Sequence, residues 1–187
     1  MRTPALLSAL VLVTGALLLT PAQAQAQARA QTQTQTQAPT QTQTQAPAPV
    51  TVAKISHATA TSMFRQAGIT WSSSGNCADR SNPTCTSFDQ LNLATAQAAQ
   101  VLKGASGCAL NITGGTETGH ANGTYSHWNG YKIDVAKATC VGNYIKNTFT
   151  YIGLRGDGAP QWRSGSGNVY TDEGSHWDVL YYNCGGC

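Results

Sequence analysis

Charge is scarce in this sequence: Asp, Glu, Lys and Arg make up 10% of 187 residues and leave a net charge of +3. A nucleic-acid binder concentrates Lys and Arg on one face. No such cluster occurs, so that class is excluded, and the mild basicity suits at most adhesion to anionic polymers. After Leu19 there is no apolar run long enough to span a bilayer, which excludes a transmembrane helix in the remainder. Apolar side chains are almost absent from Gln25 to Pro49, which excludes a packed core there. With only 4 histidines and 8 acidic residues in the whole chain, regularly spaced His and carboxylate residues stand out.

The amino-terminal segment has the layout of a secretory signal. Met1-Arg2 precedes an apolar run from Ala5 to Leu19, followed by Pro21-Ala22-Gln23-Ala24, a small-x-small cleavage pattern. Residues 1–24 are expected to be a signal peptide, with Ala26 and Ala28 as rival cleavage points. Residues 25–50 repeat Gln-Ala and Gln-Thr with interspersed Pro and read as a disordered linker, a pro-segment or a wall-spanning spacer. Residues 51–187 form one domain of ordinary size.

All six cysteines, Cys77, Cys85, Cys108, Cys140, Cys184 and Cys187, fall in that domain. Behind a signal peptide, an even number reads as disulfides. Cys77 with Cys85 is the favoured local pair. Cys108 with Cys140 would then link two strands flanking the site described below, leaving Cys184 with Cys187. The competing reading of Cys184-Gly-Gly-Cys187 is a metal knuckle, although no second pair is placed like it.

Spacing predicts a helix over 57–67 with Ala60, Met63 and Phe64 as its apolar stripe, ended by Gly68. A brief strand follows at 69–71, then a loop over 72–86. Ser87-Phe88-Asp89-Gln90 has the capping-box pattern for a helix reaching about Lys103, with Leu91, Ala94, Ala98, Val101 and Leu102 buried and Gly104 as its stop. Residues 108–113 read as a strand, and a Gly-rich loop leads from there to His127. Residues 141–152 show helix-spaced Tyr144, Ile145, Phe149 and Ile152. A loop over 155–167 and strands at 168–171 and 176–182 complete the chain. Early helices and late strands imply an α+β fold: a small antiparallel sheet with helices packed on one face, stabilised by disulfides.

Two stretches carry the chemistry. In Ser126-His127-Trp128-Asn129-Gly130-Tyr131-Lys132-Ile133-Asp134, the alternation from Tyr131 to Val135 reads as a strand with Asp134 on the face opposite Ile133. Gly130 gives the chain room to turn His127 back over that face. In Glu173-Gly174-Ser175-His176-Trp177, a second strand carries His176 and Asp178 on one side. Catalytic zinc takes three ligands from His, Asp, Glu or Cys and leaves a position for water. His127, Asp134 and His176 could be such a set, with Glu173 beside the metal as proton acceptor, on the sheet face away from the helices. Asp178 could orient His176 from behind.

Ser-His-x-x-Gly-x-x-x-Asp followed by Glu-x-x-His-Trp resembles the zinc D-Ala-D-Ala carboxypeptidase and L-alanyl-D-glutamate peptidase family, which shares its fold with the hedgehog amino-terminal domain. The resemblance implies one zinc per chain on His127, Asp134 and His176, with Glu173 as general base. Three positions differ from the family pattern: Lys132 stands where a small residue is usual, Ser175 where an aromatic is frequent, and residues 109–126 contain no Arg to hold the substrate carboxylate or the oxyanion. His120, Arg155 and Arg163 are candidates to fill that last role, and Glu117 shares the Gly-rich loop with His120.

The expectation is a secreted, monomeric zinc metallopeptidase, extracellular or wall-associated, that hydrolyses amide bonds in peptidoglycan stem peptides. The alternative is a non-catalytic secreted binding module on the same fold, favoured by those three differences. A small disulfide-stabilised inhibitor or toxin is a third option.

Overall fold

The structure, a computed structural model, describes residues 52–182. The expected signal peptide (1–24) and linker (25–50), together with Cys184 and Cys187, lie outside the described residues. In chain order the elements are β1 (Lys54–Ile55), α1 (His57–Gln66), β2 (Thr70–Trp71), β3 (Leu91–Asn92), α2 (Leu93–Ser106), β4 (Asn111–Gly114), β5 (Lys132–Ala136), α3 (Thr139–Thr148), β6 (Thr150–Leu154), β7 (Pro160–Arg163), β8 (Val169–Asp172) and β9 (His176–Leu180). Seven strands form one sheet in the order β2-β4-β5-β9-β8-β7-β6, and β1 pairs with β3. Only the β2–β4 pair in the large sheet is parallel. The fold is thus α+β with a mostly antiparallel sheet.

α1 starts where Ser56 accepts a hydrogen bond from the Thr59 amide, which satisfies one of the donors a helix start leaves free. It buries Ala60 and Phe64. Phe64, Phe88 and Trp71 meet edge to face, and the disulfide Cys77–Cys85 closes the loop between Trp71 and Phe88. The second disulfide joins Cys108, just ahead of β4, to Cys140 in the first turn of α3. It links a strand approach to a helix rather than the two flanking strands expected.

Three elements differ from the sequence expectation. The capping-box residues do not start α2. Gln90 takes a left-handed conformation with φ 64°, and Leu91 pairs with Ile55 in the β1–β3 ribbon, so the helix begins at Leu93. It passes through Gly104 and ends at Gly107, and Val101 faces solvent while Thr95, Ala96 and Ala99 are buried. α3 ends at Thr148, because the β-branched and aromatic run after it enters β6, with a bulge between Tyr151 and Gly153. The expected loop after Arg155 contains β7, which pairs with both β6 and β8.

β5 and β9 lie side by side at the centre, with Ile133 opposite Val179 and Val135 opposite Trp177. These four side chains join Phe64, Leu91, Leu102, Ile112, Val141 and Ile145 in one buried cluster fed by all three helices. Burial of apolar area on this scale is the main stabilising contribution to such a domain. Strand side chains alternate, so Lys132, Asp134, His176 and Asp178 project from the other face.

Candidate functional site

Antiparallel pairing places Asp134 directly across from Asp178, and Ala136 across from His176. Both carboxylates are nearly sealed from solvent, at 6% and 5% exposure. Like charges directly opposite each other in a sheet are destabilising, and burial removes the water that would screen them. Positively charged or cation-binding groups are therefore required around them.

His127 is the first of these. The turn from Ser126 to Tyr131 is closed by the Gly130 amide on the His127 carbonyl (2.7 Å) and the Tyr131 amide on the Ser126 carbonyl (3.1 Å). Gly130 sits at φ 76°, and a Cβ there would lie 2.5 Å from the Gln90 carbonyl oxygen, so glycine is demanded twice. The turn returns His127 over β5, as the spacing suggested. Its Nδ1 pairs with the Gly115 carbonyl at 2.7 Å. That bond directs Nε2 at the carboxylates, 3.3 Å from Asp134 Oδ1 and 3.7 Å from Asp178 Oδ1. Burial opposes the charged imidazolium, but Asp134 and Asp178 outweigh it and raise the His127 pKa to about 9. Burial likewise works against the ionised Asp178, yet His127 and Lys132 hold its carboxyl well below the usual range. Lys132 Nζ lies 2.7 Å from Asp178 Oδ2, and Arg155 Nη1 lies 3.1 Å from the same oxygen.

His176 opens β9. Ser175 Oγ is 2.9 Å from its Nδ1, and its Nε2 lies 3.5 Å from Asp134 Oδ1 and 3.0 Å from Glu173 Oε2. Glu173 is held from its other oxygen by Arg155 Nη2 at 2.5 Å. Arg155, in the β6–β7 turn, also binds Asp157. Ser175 and Lys132, two of the residues that differ from the family pattern, are thus occupied: one hydrogen-bonds an imidazole, the other neutralises a buried carboxylate.

His120 completes the group from the Gly-rich loop. It stacks on His127 with ring centres 3.8 Å apart, and its Nδ1 lies 3.8 Å from Asp134 Oδ2. Glu117 stands behind it, with Oε1 3.3 Å from His120 Nε2. The buried Glu117 carboxylate accepts the Ser87 amide at 2.7 Å and the Gly115 amide at 2.9 Å. Burial raises its pKa, but His120 and these two amides outweigh that effect and leave it lowered. The loop can come this close because residue 114 has no side chain: a Cβ on Gly114 would lie 2.3 Å from Asp134 Oδ2.

His120, His127 and Asp134 bring one ligand atom each to within 4.8 Å of one another, a group able to hold a metal ion. His176 Nε2 faces the same Asp134 Oδ1 as His127 does. Asp134 Oδ1 and Asp178 Oδ1 accept no hydrogen bond among the described residues although both are buried. Buried carboxylate oxygens that accept no hydrogen bond and face imidazole nitrogens fit a bound cation.

These residues line one cleft of about 560 Å³ that also takes in Lys132, Arg155, Asp157 and Glu173. Of the residues expected here, His120, His127, Asp134, Arg155, Glu173, His176 and Asp178 are brought together. Arg163 is not: it lies exposed on β7, away from the cleft. Arg155 is present but engaged with three carboxylates. Asp178 faces His127, Lys132 and Arg155 rather than backing His176 as expected. Asp157 was not foreseen, and its signal was the Arg-Gly-Asp-Gly turn composition. Comparison with protein-family models, curated proteins and solved structures gives no match.

Proposed function

We propose that this protein is a secreted zinc peptidase that hydrolyses an amide bond in the peptide part of peptidoglycan, in the manner of the D-Ala-D-Ala carboxypeptidase and L-alanyl-D-glutamate peptidase family its motifs resemble. One observation carries the reading: the Nε2 atoms of His127 and His176 both lie within 3.5 Å of the same buried Asp134 Oδ1, which accepts no hydrogen bond among the described residues, with Glu173 beside His176. His127, Asp134 and His176 would hold the ion, with His120 as a further nitrogen on the His127 side. Two or three imidazoles with one carboxylate suit zinc. Zinc bound there would acidify a water and polarise the scissile carbonyl.

The chain's own groups do the rest. Glu173 accepts the proton of the attacking water and returns it to the departing amine. Its 3.0 Å contact with His176 keeps it next to the metal-binding nitrogens, and Arg155 fixes its orientation from outside. The Gly115 carbonyl holds the His127 tautomer that leaves Nε2 free to bind metal. His120 and Arg155 line the same cleft and are the groups we assign to an oxyanion or a substrate carboxylate. Two disulfides within the described residues suit an oxidising, extracellular setting, and no helix among those residues is long and apolar enough to cross a membrane.

The test is hydrolysis of synthetic stem peptides by the zinc-loaded protein and by Glu173→Gln. The variant should keep zinc and lose at least about 100-fold in kcat. Near-normal turnover would remove Glu173 from the role of base. The binding-module reading draws on a specific observation, the ion pair that already occupies Glu173. Retention of the unmutated protein on insoluble wall material, with no peptide cleaved, would favour that reading.

A further inference from the structure

A second cleft lies against Trp177. The indole lines this cleft of about 370 Å³ together with Lys137, Lys146 and the first turn of α3, including Thr139 and Gly142. The Lys137 and Lys146 ammonium groups stand 4.3 and 5.7 Å from the centre of the Trp177 ring. α3 begins after Ala138, which has no side chain able to cap it, and no acidic residue occupies its first turn. The first intrahelical bond is made by Gly142, onto the Ala138 carbonyl, so the amides before it point outward without a helical acceptor. They give this end of the helix a partial positive charge.

A helix end beside two lysines is a common surface feature. The distinguishing atom is Trp177 Nε1. The residue is completely buried, the indole N–H can only donate, and it has no acceptor among the described residues. A buried donor left unpaired is destabilising, and in native proteins it usually marks a place where a partner belongs. A Cβ on residue 142 would lie 3.7 Å from Trp177 Cζ2 and 3.9 Å from Nε1, against the indole edge that carries the N–H, and glycine places no methyl there.

We propose that this cleft binds a phosphate group. One phosphate oxygen approaches past Gly142 to accept from Trp177 Nε1, while the free first-turn amides, Lys137 and Lys146 meet the remaining oxygens. Phosphate is favoured over carboxylate because Asp172 already bridges both lysines, pairing with Lys137 through Oδ1 and with Lys146 through Oδ2 at 3.4 Å. A ligand has to displace that carboxylate, and phosphate brings more charge and more acceptor oxygens to do so. The site stands whether or not the His/Asp cleft holds metal.

The test is a titration of the purified protein with inorganic phosphate, followed by the indole N–H resonances in nitrogen-correlated NMR. One indole signal should move saturably with phosphate and stay in place with chloride at matched ionic strength. Gly142→Ala improves helix propensity, so its Tm should hold or rise while phosphate binding weakens at least about tenfold through loss of the oxygen position. Asp172→Asn, which frees both lysines and keeps an acceptor for the Gly174 amide, should tighten binding. A parallel titration with dimethyl phosphate identifies the source: binding of both ligands assigns the site to phosphate within a diester, and binding of inorganic phosphate alone assigns it to a free or terminal phosphate. No saturable shift with either ligand, or a shift that Gly142→Ala leaves unchanged, would overturn the proposal.

Discussion

On the β5–β9 pair, Ile133, Val135, Trp177 and Val179 on one face and Asp134 and Asp178 on the other are similarly hidden, at 0–1% and 5–6% exposure. The first face meets the helices and gains from burial in proportion to its apolar area. The second buries two carboxylates opposite each other and recruits His127, Lys132 and Arg155 to offset them. The same two strands therefore serve stability on one side and hold destabilising charge on the other. Buried charge kept in that way is what the proposed metal site requires.

The contrast can be broken by matched substitutions. Ile133→Ala should lower unfolding free energy by about 2–5 kcal/mol in urea titration and leave metal affinity nearly unchanged. Asp134→Asn should show the reverse: metal affinity falls by at least about 100-fold, with a smaller loss of stability in the metal-free protein than Ile133→Ala produces. Equal stability losses for the two would mean that both faces serve the fold.

Proton linkage sharpens the same contrast at the charged face. In the metal-free protein the His127 pKa is raised from 6.5 to about 9. Its ion pairing therefore stabilises the fold fully below pH 6.5, and that stabilisation is lost as pH rises through about 9. A metal ion must displace the His127 proton, so apparent metal affinity should climb by about tenfold per pH unit across that window and then level off. Competition titrations at several pH values would read this directly, and a flat profile would take His127 out of the ligand set.

A smaller effect is expected behind the site. Glu117→Gln should cost about 1–3 kcal/mol, because one carboxylate oxygen that accepts backbone amides becomes a donor. The unmutated Glu117 has a lowered pKa. Its contribution is therefore present above the unfolded value of 4.5 and disappears as pH falls through the folded one. Acid unfolding of the variant should accordingly be less steep.

Much of the site was legible because it lies in short local patterns. His127, Gly130 and Asp134 sit on one turn and one strand, and Glu173, Ser175 and His176 on another, so spacing alone predicts which side chains share a face. The Cys77–Cys85 and Cys108–Cys140 pairs were also legible from order and separation. What escaped depends on distant partners. The start of α2 is displaced because Leu91 is claimed by Ile55, 36 residues earlier. Ile152 fits a helix stripe as well as a strand, and only the pairing of β6 with β7 decides between them. His120 has no periodic context, and its place over His127 comes from the loop fold around Glu117. Arg155 meets Asp157 within its own turn, but its other two carboxylate partners lie at positions 173 and 178 and are brought to it only by the sheet.

The most direct test of the proposed metal centre is the zinc content of the purified, oxidised protein beside that of His127→Ala and His176→Ala, each checked for folding by circular dichroism. The account predicts about one zinc per chain in the unmutated protein and loss of most of it in both variants. Zinc absent from the folded, reconstituted protein, or retained by both variants, would contradict it.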